Sequence, residues 1–447
     1  MTFNTNSFLE VNSKKEKISN ELFQLMSKLF PICRSITGDG VRKSLSIIAE
    51  QIPLKIQEIE SGTKVYDWIV PDEWNITDAY IKDSKGNKIV DFKNSNLHIV
   101  SYSIPKNSKL TLEKLKPHLF SLPEKPNSIP YVTSYYNKNW GFCLTDNQLS
   151  GLQDDGEYEI FINSSLRSGH LTYGEFVIPG ETTDEVLITC YICHPSLCND
   201  NLSGIALLTF LSKYLNTFSL KFTYRFLFIP ETIGSIVWLH NNESHLHKIK
   251  HGLVATCLGD SGCFTYKKTR SGNNEIDKIV ECILKNSNDK YDIVDFFPFG
   301  SDERQFCSPG FDLPVGSLMR TPYLKFPEYH TSDDNLNFVK KEKLLDSFLK
   351  YLDIIFVIEN NKKFENLNPK CEPNLGKRGL YSLFGAENKK EDKIKAISWL
   401  LNFSDGEHSL LDISLKSEMP FVLLLDVANL LVEKKLLKEI KSSETLL

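Results

Sequence analysis

No run of about 18 apolar residues occurs in this 447-residue chain, so no membrane-spanning helix is expected. An excess of basic charge is missing too. The net charge of -5 argues against a nucleic-acid or anionic-membrane role for the protein as a whole. The opening residues Met1-Thr2-Phe3-Asn4-Thr5-Asn6 lack the basic-then-apolar order of a secretory signal, and a cytoplasmic protein is expected. The cysteines Cys190, Cys193 and Cys198 lie close together, but their spacing fits no zinc-finger pattern. They read as reduced thiols of a cytosolic protein. What is present is ordinary for a soluble globular chain: 41% apolar and 24% charged residues, and enough length for two or three domains.

Helical spacing of Leu22, Phe23, Met26, Leu29 and Phe30 places a helix in 17–51, broken at Ser35–Gly40 and resumed from Val41 to Ile52. Leu54–Ile59 alternates like a first strand. From 63 to 166 the chain turns to short alternating runs, many aromatics, and Pro or Asn-Gly-like turns, which predicts an inserted β-rich domain. A strand and helix rhythm then returns. Strands are expected at Tyr173–Ile178, Val186–Cys193, Phe222–Ile229, Leu253–Leu258 and Phe311–Leu318, and a helix at Lys340–Ile358. Such alternation predicts an α/β fold: a mixed, mostly parallel sheet covered by helices. The polar stretch Asn361–Lys377 reads as a linker, followed by helices at Lys390–Leu401, His408–Ser417 and Phe421–Leu437. The expected division is an α/β domain of 1–62 plus 167–362, the β-rich insertion 63–166, and a small winged-helix-like domain over 372–447. From Glu372 to Leu447 there are eleven basic and twelve acidic residues, and Phe421–Glu433 has no basic residue. DNA binding is therefore disfavoured, and packing or protein contact, with another copy or another protein, is the expected role of the tail.

The chain is organised around Tyr191-Ile192-Cys193-His194-Pro195-Ser196-Leu197-Cys198-Asn199-Asp200-Asn201-Leu202-Ser203-Gly204. An apolar, β-branched run precedes it and a helix apolar on nearly every face follows. His194 and Asp200 thus fall at a strand's carboxyl end, where open α/β sheets bind ligands, and imidazole with carboxylate suits zinc. Three more polar segments follow strand candidates or lie in polar loops: Pro230-Glu231-Thr232-Ile233-Gly234-Ser235, Gly259-Asp260-Ser261-Gly262, and Tyr329-His330-Thr331-Ser332-Asp333-Asp334. Two histidines and three carboxylates are what a hydrolytic metal site needs: cation ligands, and a free carboxylate to move a proton. Each also has a plain reading, as a core histidine, a helix cap, a turn residue or a surface loop residue. Arg304 and Arg320 lie in segments leading to His330, where a guanidinium could clamp a substrate carboxylate or form a structural ion pair. Tyr135, Tyr136 and Trp140 could line the site or form a local aromatic core.

The order His, Asp-Asn-x-Ser-Gly, Glu-x-x-Gly-Ser, Asp, Tyr-His-Thr-x-x-Asp resembles the zinc aminopeptidases with a co-catalytic two-metal site. Closer still are bacterial aminopeptidase-like proteins with an inserted β domain and a C-terminal winged helix, some named for polysaccharide biosynthesis; Tyr66-Asp67-Trp68, Trp140-Gly141-Phe142-Cys143, Cys193-His194-Pro195-Ser196 and Tyr329-His330-Thr331 carry that likeness. The resemblance implies a peptide or amino-acid-like substrate and zinc held by His194 and Asp260. It makes Asp200 a bridge to a second zinc that His330 also binds, with a cis Asp200–Asn201 peptide. Glu231 would be the general base and Tyr329 a substrate contact. Two departures bear on this. Thr232 stands where the superfamily has a second Glu, and His194-Pro195-Ser196 replaces His-x-Asp. One firmly bound zinc is expected, with the second site weak or empty. A non-hydrolytic relative that binds ligand or serves assembly is the alternative.

Overall fold

In the computed structural model, residues 3, 11, 13–154, 156–287, 289–380 and 390–440 are described. They form two compact bodies, one of Lys14–Gly272 with Tyr291–Phe348, the other of Met1–Ser13, Asn273–Lys290 and Leu349–Leu447.

The larger body is built on eight strands: β1 (Lys55–Glu60), β2 (His170–Ile178), β3 (Glu185–Tyr191), β4 (Thr223–Ile229), β5 (Ile249–Ala255), β6 (Phe264–Lys267), β7 (Tyr291–Val294) and β8 (Val315–Met319). Their order across the sheet is β1-β2-β4-β3-β5-β8-β6-β7. The centre, β4-β3-β5-β8, is parallel, and antiparallel pairs flank it. All seven residues of β3 are buried, as an apolar, β-branched strand covered on both faces should be. Strand β3 leads on to β4 on one side while its neighbour β5 leads on to β6 on the other, so their connections diverge and open a crevice at the carboxyl ends. Helix α1 (Ser203–Leu215) follows that end and buries eleven of its thirteen residues. Gly204 lets it approach closely, because a Cβ there would meet the Ala255 carbonyl and the Asn201 amide. Earlier helices span Lys15–Leu29 and Asp39–Ala49.

A separate four-stranded antiparallel sheet comes from Glu73–Lys82, Lys88–Asp91, Lys106–Thr111 and Glu157–Arg167. Its two long strands pair over nine registered positions from Glu73↔Arg167 to Lys82↔Glu159.

In the smaller body, helices Lys390–Phe403, Leu410–Ser417 and Phe421–Glu433 accompany a three-stranded sheet, a winged-helix arrangement. The linker reading of 361–377 is corrected here: Lys363–Asn366 is that sheet's central strand, between Asp405–Ser409 and Leu437–Ile440. Four residues with one buried phenylalanine, Phe364, carry too little pattern to be seen in isolation. The expected strand Phe311–Leu318 begins only at Val315, because Asp312 and Leu313 turn back to bond Ser308 and Phe306 (2.8 and 3.1 Å). The tail beyond Ile440 lies outside the described residues. All ten cysteines are free thiols, including Cys190 and Cys193 with C-x-x-C spacing at the end of β3. No described helix is long and apolar enough to cross a membrane.

Candidate metal centre

Beyond β3 the chain runs as a fully buried loop from Ile192 to Asn201. A buried loop needs partners for its backbone polar groups, and remote side chains supply them. Arg34, itself 0% exposed, donates from Nε to the His194 carbonyl (2.9 Å) and from Nη1 to the Leu29 carbonyl (2.7 Å). The Ser196 hydroxyl donates to the Phe30 carbonyl at 2.6 Å, so it faces away from the histidine. The Asp334 carboxylate accepts the backbone N–H groups of Asn199 (2.6 Å) and Asp200 (2.9 Å), while its own carbonyl accepts that of Cys198 (3.0 Å). Asn201 donates to the Ala255 carbonyl (2.9 Å), and the Asp200–Asn201 peptide is cis, as the resemblance implied.

Glu231 follows β4. Its N–H donates to the Cys193 sulfur at 3.3 Å. That sulfur also lies 3.7 Å from His194 Nδ1. Thr232 adopts φ +65°, a costly region for a β-branched residue. Two contacts hold it there: its N–H donates to Asp302 (2.7 Å), and its hydroxyl accepts from Arg304 Nη2 (2.9 Å).

His330 arrives on a loop strapped by 128–131. Tyr131 N donates to the His330 carbonyl (2.8 Å), Ser332 N to the Ile129 carbonyl (2.9 Å), and the Ser128 hydroxyl to Asp333 (2.6 Å). The His330 ring stacks on Tyr329 at 3.9 Å, and Tyr131 packs edge-on against both His330 (5.1 Å) and His194 (5.3 Å).

These elements bring His194, Asp200 and His330 together, each offering a ligand atom within 4.8 Å of the others. Asp200 Oδ2 lies 3.0 Å from His330 Nε2 and 3.9 Å from His194 Nε2, and Glu231 lies 3.8 Å from His194 Nε2. Asp200 Oδ2 and His330 Nε2 are buried without a hydrogen-bonding partner of suitable alignment. Buried polar atoms are rarely left so, and a cation between them would satisfy both. Two imidazoles and a carboxylate are a donor set zinc accepts.

Burial pushes the His194 imidazole down to about 4, leaving it neutral with a lone pair to give. Burial opposes ionisation of Asp200, but the His194 and His330 charges and the Tyr191 hydroxyl bring it down to about 2. Glu231 is pushed well above the ordinary carboxylate range, first by burial and then by the negative charges of Asp302 and Asp200; Arg304 opposes this. Burial raises Asp302 to about 7 and Asp334 to about 8.

The other sequence-derived candidates fall as follows. Asp260 belongs to neither group of described side chains that could hold a cation, Cys193–His194–Glu231 or His194–Asp200–His330. Its oxygens instead accept from Asn199 Nδ2 (3.0 Å), Gly262 N (2.6 Å), Thr321 N (3.2 Å) and the Thr321 hydroxyl (2.5 Å), the pattern of a buried turn. Arg320 is spent structurally, bonded to Asp346 and the Gly262 carbonyl (2.9 Å) and lying over Phe264. Arg304 and Tyr329 are at the site. Trp140 is core, stacked on His118 at 3.8 Å, and the Tyr135 hydroxyl bonds that of Tyr131 at 2.8 Å. Tyr136 is 49% exposed and edge-on to Trp68. Sequence reasoning passed over Tyr131, Arg34, Asp302 and the use of Asp334, and read Cys193 as a reduced thiol. Two of these had a signal: Asp334 as the last residue of Tyr-His-Thr-x-x-Asp, and Cys193 in Cys193-His194-Pro195-Ser196.

A parallel-centred sheet with a His–Asp–His cluster at its switch point defines an aminopeptidase-like α/β fold. The solved structures agree. The zinc aminopeptidase from Bacillus subtilis superposes with a TM-score of 0.56 at 14% identity, over 76% of this chain and 95% of that one. A crystal structure from Clostridium acetobutylicum, named as a candidate peptidase, gives 0.91 at 54% identity, over 96% and 99% of the two chains. The chain belongs to the family of the domain of unknown function DUF4910, whose model matches residues 23–361, and a winged helix-turn-helix model matches 362–439. A Clostridium acetobutylicum relative is 56% identical over 418 residues, 94% of this chain and 96% of its own length; it is named as a candidate polysaccharide-biosynthesis protein with an aminopeptidase-like domain.

Proposed function

We propose that the protein is a zinc-dependent amide hydrolase of aminopeptidase type, with one zinc held by His194, Asp200 and His330 and with Glu231 as general base. The observation that carries this reading is the buried pair Asp200 Oδ2 and His330 Nε2, 3.0 Å apart without a well-formed hydrogen bond, facing His194 beside the Glu231 carboxyl group. When bound, zinc supplies a Lewis acid that polarises a carbonyl and brings the pKa of water to about 7. Glu231 takes a proton from the attacking water and passes it to the leaving nitrogen. Its side chain is 26% exposed and that of His330 is 34%, so substrate enters on their open side. Tyr131 and Tyr329 hold the two imidazoles in place and exclude water from behind them.

The resemblance puts the second zinc's carboxylate at the position of Thr232, whose hydroxyl instead accepts from a guanidinium. One zinc per chain is therefore expected. In this reading the α/β body carries the chemistry, residues 63–166 brace it, the winged helix serves protein contact, and the protein works in the cytoplasm. The test is metal analysis of purified protein together with hydrolysis of aminoacyl amides by the parent chain, Glu231→Gln and His194→Ala, with and without chelator. Equal rates in all would end the proposal.

Thr232 and Ser196, the residues that depart from the peptidase pattern, favour a second reading: a non-hydrolytic member that binds an amino-acid-like or amino-sugar ligand, in keeping with the name of the Clostridium relative. A zinc-loaded protein whose ligand binding survives Glu231→Gln, with no turnover in either form, would select it.

A further inference from the structure

Arginine pairing is uneven in this chain. Arg42, Arg225, Arg270 and Arg320 each hold a carboxylate. Arg304 does not. It sits beside the metal centre, half-buried on the short turn of helix Glu303–Phe306. Its hydrogen bond is from Nη2 to the Thr232 hydroxyl, and its Nε is buried without a partner. Among the described residues no carboxylate forms an ion pair with it. The neighbouring Glu303 is taken by Lys267 at 2.6 Å, and Asp302 receives the Thr232 N–H.

This guanidinium is also deliberately placed. Thr232 holds a left-handed backbone conformation, and its hydroxyl fixes one end of the fork. Through Thr232 the guanidinium adjoins Glu231, which lies 3.8 Å from His194 of the His194–Asp200–His330 cluster. Its charge acts on Glu231 and Asp302 without a direct ion pair to either, which leaves a planar fork that matches carboxylate and phosphate oxygens.

We infer that the substrate amide carries an anionic group, carboxylate or phosphate, that binds Arg304 while the amide carbonyl lies at the metal centre. This rests on the reading of the site as an amide hydrolase and narrows its substrates: acylated amino acids or phosphorylated N-acyl compounds, in preference to peptides recognised through a free amine.

The experiment uses three nearly isosteric probes: N-acetylglycine, N-acetylaminomethylphosphonate and N-acetylglycinamide. Binding to the zinc-loaded full chain is measured by calorimetric titration in the Glu231→Gln form, where turnover does not interfere. At least one anionic probe should bind about tenfold or more tightly than the neutral amide, the scale of a charge-assisted hydrogen bond. Arg304→Gln keeps a donor for Thr232 but no charge, and should bring the anionic probe to within about twofold of the neutral one. Arg304→Lys should restore part of the preference. Which anion wins separates a carboxylate from a phosphate substrate. Equal binding of all three probes, or a preference that survives Arg304→Gln, would overturn the inference. Failure of either kind leaves the hydrolase reading intact if neutral amides are hydrolysed, and absence of all hydrolysis leaves the binding result to stand alone.

Discussion

Asp334 belongs to neither group of described side chains that could hold a cation, yet the centre should fail without it. Its carboxylate is 0% exposed and accepts two backbone N–H groups, one of them from Asp200 itself. Replacing it by alanine strands both donors in a buried loop. Each unsatisfied buried donor costs about 1–3 kcal/mol, so Asp334→Ala should lose roughly 2–6 kcal/mol of stability if the loop keeps its shape. If the loop relaxes to find water, the loss shrinks and appears as weaker zinc binding, of about 10–100-fold. Either way the two readouts together must register it. The assay is urea unfolding of the zinc-free chain beside zinc affinity by competition with a chromogenic chelator. The neighbour Asp333 is the comparison: it accepts only the Ser128 hydroxyl that straps the His330 loop, so Asp333→Ala should cost about 1 kcal/mol and weaken zinc binding less than Asp334→Ala does. If Asp334→Ala changed stability by under about 0.5 kcal/mol with zinc affinity intact, the claim that remote hydrogen bonds build this site would be refuted.

Glu231→Gln should cut amide hydrolysis by about 10²–10⁴-fold while zinc content stays at the parent level, read by steady-state rates and metal analysis. His330→Ala should abolish tight zinc binding with little loss of fold, because the ring is 34% exposed, as checked by metal content and far-UV circular dichroism. The zinc-free protein should lose stability on acidification: burial holds the His194 folded value at about 4, below the unfolded one near 6.5, so the unfolded chain binds more protons between those values and stability falls as pH drops through that window. Unfolding midpoints across pH 7 to 4 measure this, and His194→Gln should flatten the slope. Arg320→Ala should lower the melting temperature through its lost contacts with Asp346, Gly262 and Phe264 and leave KM unaltered, unlike Arg304→Gln.

Much of the architecture was legible because the central strands are short apolar runs between polar loops, and a strand buried on both faces announces itself in composition. The cluster His194, Asp200, His330 with Glu231 was legible for a related reason: each lies just past such a strand or in a polar loop. Gly-Asp-Ser-Gly looks the same in sequence whether its carboxylate faces a cation or closes a turn, so the Asp260 bonds to Gly262 and Thr321 could not be foreseen. Arg34 and Tyr131 could not be read, because their roles depend on contacts to residues far along the chain, such as Arg34 with His194. Strand Lys363–Asn366 was hidden in polar sequence, since three of its four side chains contribute nothing to the buried pattern.

The strap from Ser128 to Tyr131 has a practical corollary for anyone trimming this protein. His330 owes its pose to main-chain bonds from a segment two hundred positions upstream. Excising that stretch to obtain a smaller protein would leave the open sheet and its helices with one claw of the pincer hanging loose.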